Sequence, residues 1–184
     1  ILDQSTILLS RDLPNSLMFL DCKTSEHEII QADKMSKFLI AVVHSGINEV
    51  LIDTGYNNRV AECHQAAKQI LKLAGKPIPQ KDVKLRDVDE QLFWKYREKL
   101  PDVLRKRATH FYTEVNRVRE GVAAWKEGNL NTFGKLVAES GKSSIENYEC
   151  GVPELIKIYE ILNSIDGVYG ARFSGAGFRG ACIG

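Results

Sequence analysis

Three stretches of the sequence hold residue types that can do chemistry. The first is SGAG, residues 174–177, within GARFSGAGFRGACIG (170–184), where five glycines stand among fifteen residues beside two arginines. Glycine lets a backbone approach a ligand closely. Successive N–H groups in such a turn form a concavity that attracts a phosphate or a sugar oxygen. A tight hairpin with small residues packed under a helix needs the same composition, so local sequence leaves both readings open. The second stretch is LDQ, residues 2–4. Asp3 precedes the strand-like STILLS, so it would sit at a strand edge facing a cleft, placed to orient and deprotonate an attacking hydroxyl. A capping or solvated aspartate is the plainer alternative. The third is GYNNRVAEC, residues 55–63, where Tyr56 opens a helix and either points its hydroxyl into a polar site or packs beside an asparagine cap.

Other chemistries find little support. His27, His44, His64 and His110 show no metal spacing, which disfavours zinc. No GxSxG occurs, and no cysteine has a convincing base beside it, so hydrolase readings fall away. The glycine stretch lacks the GKS or GKT ending of a phosphate loop.

The elements that would position these residues can be read from period and punctuation. STILLS (5–10) and LMFLDC (17–22) read as a hairpin around RDLPNS, with further strands at HEII (27–30) and KFLIAVVH (37–44). The run 38–43 is apolar throughout, as in a strand buried on both faces. From Tyr56 the period becomes helical through Val60, Cys63, Ala67, Ile70, Leu71 and Ala74, with Asn57 or Asn58 as cap and Gly75 as stop. KPIPQKD follows as an exposed loop. Leu85, Val88, Leu92 and Tyr96 mark a second helix. After Pro101 one stripe runs from Leu104 through Ala108, Phe111, Val115, Val118 and Val122 to Trp125, with Gly128 as terminator. A short helix carries Leu130, Phe133, Leu136 and Val137, another starts at Pro153, and VYGARFS and FRGACI read as strands flanking GAG. Strands, then helices, then strands predict an α+β fold, a mostly antiparallel sheet with helices on one face.

The 184 residues carry 25 Lys and Arg against 24 Asp and Glu, a formal charge of +1, with 43% hydrophobic content. That balance gives no reason to expect nucleic acid or a membrane as partner. Cys22, Cys63, Cys150 and Cys182 form no CxxC pair and read as reduced thiols of a cytoplasmic protein. The opening at Ile1 and the close at Gly184 read as cuts in a longer polypeptide.

In ordered combination the stretches resemble a family. LDQ resembles the MDQ of galactokinases, members of the GHMP small-molecule kinase superfamily, and GYNNRVAEC resembles their (S/E)YNxRRxxC segment. RKRATHFYTEVNRV (105–118), GNLNTFGKLVAES (128–140) and SSIENYECGVPEL (143–155) are similar to three further segments in the same order. VYGARFSGAGFRGA resembles their third motif, VYG…TGGGFGGC. SIENYECG, GARFSGAGFRG and HSGI followed by TGYN look most like the galacturonokinase branch, whose enzymes phosphorylate D-galacturonate at the anomeric oxygen.

The resemblance implies that Asp3 is the catalytic base, or orients the sugar C1 hydroxyl, and that Tyr56 contacts the sugar. It implies that Gly175, Ala176 and Gly177 shape the sugar and phosphate region. It also implies ATP and Mg²⁺ for the complete enzyme, with the main ATP loop upstream of residue 1 and these residues inactive alone. Residues 1–44 would then continue from an N-terminal kinase domain and 45–184 would form the GHMP C-terminal domain. Where galactokinases have glycine this chain has Arg179, which could receive a uronate carboxylate bidentately. The outward reading is favoured, because Phe178 and Arg179 would fall on opposite faces of an extended strand. A kinase for galactose or another neutral sugar, and a kinase-like sugar sensor, are the alternatives.

Overall fold

The structure, a computed structural model, describes residues 2–10, 13–47, 55–80 and 82–184, with only the backbone of Tyr56. Three long helices built on apolar stripes organise it. These are α2 (Tyr56–Leu73), α4 (Asp102–Lys126) and α5 (Leu130–Glu146). Helix α4 packs against both of the others. Its apolar side meets Ala66, Ala67, Ile70 and Leu71 of α2 in a core that also buries Phe93, Leu100, Ala108 and Tyr112. The buried Tyr112 hydroxyl donates to the carbonyls of Leu85 and Val88, 3.0 and 3.1 Å away, so its polar end is satisfied. Helices α2 and α4 stop before Gly75 and Gly128, which take left-handed φ values of +64° and +68°.

Sequence periodicity predicts one helix across 85–96, but Asp89 divides it. A 3₁₀ turn covers Leu85–Asp87 and α3 spans Glu90–Tyr96, with the Asp89 carboxylate accepting the Gln91 amide at 2.9 Å. Helix α2 is preceded by Gly55 with no side-chain cap, so neither Asn57 nor Asn58 serves that role. The helix expected to be short, α5, runs 17 residues. Helix α6 (Pro153–Ser164) begins at its proline as the sequence indicates.

The strands form two small antiparallel sheets, so the α+β class holds while the strands divide. In one, β1 (Ser16–Leu20) pairs with β2 (His27–Gln31), and Leu17 faces Ile30 across the ladder. In the other, β5 (Ala181–Ile183) lies between β3 (Val42–His44) and β4 (Arg172–Phe173). Helix α6 covers this second sheet through a core of Leu155, Leu162, Ala171, Phe173 and Cys182.

Two strand readings are corrected. Residues 5–10 do not form a hairpin with 17–22. Residues 5–9 belong to α1 (Leu2–Leu9), and Asp3 lies in its first turn, exposed, instead of at a strand edge. The helical pattern continues just past the helix, where Ser10 N–H donates to Thr6 O at 3.1 Å. The run 38–43 is not buried on both faces. Leu39 is 95% exposed and Ile40 68%, because only Val42–His44 joins the sheet, at its edge.

Candidate functional site

The SGAG turn links β4 to β5. Gly175 and Gly177 take φ values of +83° and +78°, a conformation that L side chains rarely adopt. The two glycines do different work. A Cβ on Gly177 would lie 2.8 Å from the Phe173 ring and 3.1 Å from the Gly151 amide nitrogen, so this position is a tight packing point. A Cβ on Gly175 would meet nothing, and Gly175 and Ala176 are exposed. Among the described residues none accepts from the amides of Gly175 and Ala176, which leaves two N–H groups available to an oxygen-rich ligand. One end of the turn is thus a tightly packed hairpin, and the other leaves its amides exposed. Residues 175–180 also spell G-x-G-x-x-G, yet they lead into the strand β5. The helix N-terminus which that spacing serves in dinucleotide sites does not follow. Phe178 packs on the core beneath the second sheet while Arg179 is exposed, although both lie in the turn ahead of β5 and not on an extended strand.

Beneath the turn lies a network that the sequence gives little sign of. Arg107 on α4 is 1% exposed, and a charge so buried must be paired. Its Nε donates to Glu62 of α2 at 2.6 Å, one terminal nitrogen to the Asn147 carbonyl at 2.6 Å, and the other to the Glu149 carboxylate at 2.7 Å. Arg59 grips Glu62 with one nitrogen and reaches the Glu149 carbonyl at 3.2 Å with the other. Hydrogen bonds from Lys106 and Arg107 push the Glu149 carboxyl down to about 2. Three of the quoted stretches, 55–63, 105–118 and 143–155, thus meet in one ion cluster. Val152, three residues past Glu149, donates its amide to the Gly177 carbonyl at 2.9 Å and joins that cluster to the glycine turn.

A second polar network fastens α4 to α5 and β4. Ser140 donates to Glu114 through a short hydrogen bond, Arg172 donates to Ser140 at 2.7 Å, and Arg117 pairs with Glu114 at 2.9 Å. His110 lies beside Ser143 at 3.0 Å, and burial pushes its imidazole down to about 4. A cavity of about 230 Å³ opens between the β1–β2 hairpin and α4 and α5. It is lined mainly by apolar side chains together with Glu114, Arg117, Ser140 and Arg172. Asp3 and the glycine turn do not line it.

Comparison with known proteins shows what the chain is similar to. Residues 120–184, the part that holds α5, α6 and the glycine turn, match the family described as GHMP kinases C terminal. The whole chain is 48% identical to an Arabidopsis thaliana galacturonokinase over 185 residues, and covers 43% of that protein. It is 33% identical to a galactokinase of Thermotoga neapolitana, covering 47% of it. The crystal structure of Lactococcus lactis galactokinase complexed with galactose superposes with a TM-score of 0.77 at 29% identity, across 92% of this chain and 42% of that one. The chain therefore spans less than half the length of the relatives it matches.

The structure places the predicted site residues as follows. Asp3 opens an exposed helix, Tyr56 begins α2 with its side chain outside the described atoms, and Gly175, Ala176 and Gly177 form the β4–β5 turn. Arg107, Glu62, Glu149 and Gly151 were not foreseen. The faint signal for Arg107 was its place on the inner side of a helix, one residue before the stripe position Ala108. Among the described residues no group of three His, Cys, Asp or Glu side chains could hold a metal ion.

Proposed function

We propose that the complete protein containing this chain is an ATP-dependent sugar 1-kinase acting on the anomeric hydroxyl of D-galacturonate. The observation that carries this reading is the 48% identity with a galacturonokinase along the whole chain, against 33% with a galactokinase. Phosphoryl transfer asks a protein chiefly for positioning and charge stabilisation. On this reading Asp3 accepts the C1 hydroxyl proton as that oxygen attacks the γ-phosphorus of ATP and ADP departs. Tyr56 contacts the sugar from the start of α2, and the exposed amides of Gly175 and Ala176 face its oxygens or the transferred phosphate. The exposed amides of the turn and the exposed carboxylate of Asp3 are compatible with these roles.

A kinase for galactose is the second reading, supported by the superposition with a galactose-bound galactokinase. Arg179 separates the two. If its guanidinium receives the uronate carboxylate, Arg179→Ala raises the galacturonate KM and leaves the galactose KM alone. An unchanged galacturonate KM removes that role, in line with its exposed position outside the packed face of the turn.

The testing experiment is a coupled ADP-release assay on the complete protein with galacturonate, glucuronate and galactose. ATP-dependent turnover of galacturonate supports the proposal. Binding of nucleotide and sugar without turnover would identify a sensor instead. The 184 residues alone are expected to show no phosphorylation of any of the three, and measurable turnover by them would contradict the account.

A further inference from the structure

We propose that Arg107 is a positioning residue for the sugar site, setting the glycine turn and the first turns of α2 relative to one another. This rests on the kinase reading above and names a residue that touches neither sugar nor phosphate.

The argument follows the chain of contacts outward from the guanidinium. Toward α2, Arg107 holds Glu62, which in turn takes both oxygens to Arg59, so two successive turns just after Tyr56 are tied to α4. Toward the turn, Arg107 holds the Asn147 carbonyl and the Glu149 carboxylate, the two sides of the loop that leaves α5. That loop is conformationally demanding, with φ values of +53° at Glu149 and +110° at Gly151. A non-glycine residue at positive φ persists where its surroundings over-determine it. Here Lys106, Arg107 and Arg59 all hold Glu149. The loop then passes its position to the turn twice. Val152 N–H bonds the Gly177 carbonyl, and a Cβ on either Gly151 or Gly177 would run into the Phe173 ring, at 2.7 and 2.8 Å. Arg59 also reaches from Glu62 to the Glu149 carbonyl, but Arg107 spans the α2 side and the loop side with three separately directed donors, a geometry that a lysine cannot reproduce.

The test uses Arg107→Lys and the milder Glu149→Gln in the complete protein, with active enzyme counted by titration. Small displacements of a positioning group reduce rates on the order of tenfold to a hundredfold. The galacturonate KM is expected to rise about tenfold in Arg107→Lys and by a smaller factor in Glu149→Gln, with the ATP KM within about twofold of wild type. Hydrogen exchange read on the same proteins is expected to quicken in peptides covering 147–152 and 174–180, while 130–146 stays protected. Fewer active molecules with an unchanged sugar KM would mean a purely structural role and overturn the proposal. Faster exchange at 147–152 without any change at 174–180 would overturn it as well, because the link to the turn would be absent. A wild-type protein that turns over no sugar defeats the functional reading, and the exchange measurement still decides separately whether Arg107 holds the turn.

Discussion

Arg107 and His110 sit one turn apart on α4 and illustrate two ways of burying a titratable group. Arg107 stays charged because two carboxylates and a carbonyl receive its donors. His110 is instead held neutral, its imidazole pushed from 6.5 to about 4 by burial, with Arg117 and Arg172 adding to the shift and Glu114 opposing it. A depressed histidine binds its proton less readily folded than unfolded. Its contribution to stability is complete above pH 6.5 and is lost progressively as pH falls toward about 4. Glu149, depressed from 4.5 to about 2, acts in a lower window, its contribution complete above pH 4.5 and lost as pH falls through about 2. Urea unfolding between pH 6.5 and 4.5 should therefore show a loss of stability on acidification that His110→Gln reduces. An identical pH slope in that variant would contradict the assignment. At the proposed catalytic position, Asp3→Asn in the complete protein should lower kcat on the order of 10²–10⁴-fold, the range for loss of a positioned general base. A kcat within threefold of wild type would remove Asp3 from that role.

Among the elements, α5 and the segment entering β4 meet backbone to backbone. A Cβ on Gly170 would fall 1.8 Å from the Gly134 carbonyl oxygen, and one on Gly134 would fall 2.4 Å from Tyr169. Neither neighbour is a flexible side chain, so Gly170→Ala should destabilise by about 3 kcal/mol or more, the upper range of overpacking. Gly175→Ala, which meets nothing but stands at positive φ, should cost only about 1–2 kcal/mol. Equal denaturation midpoints for the two would refute this division of labour. The long helices were legible because their apolar stripes repeat and Pro153, Gly75 and Gly128 punctuate them. Residues 5–10 and 38–43 misled because an apolar run without a period does not say whether a partner strand exists. The Arg107 cluster was illegible for a different reason. A charged helix residue reads as solvent-facing, and its carboxylate partners stand 45 and 42 positions away, at Glu62 and Glu149.

At the scale of the whole molecule, the quoted stretches act less as separate ligand contacts than as parts that lock together. Residues 55–63, 105–118 and 143–155 converge on Arg107, and 170–184 joins them through Val152 and Gly177. Together these stretches build a framework beneath the turn, whose end at Gly175 and Ala176 stands exposed. The substrate is the central claim. Its most direct measurement is the ratio of kcat/KM for galacturonate to that for galactose with the complete protein, with the phosphorylated carbon identified by NMR. The account predicts a ratio well above one and a product phosphorylated at C1. A ratio below one, or a phosphate on any other carbon, would contradict it.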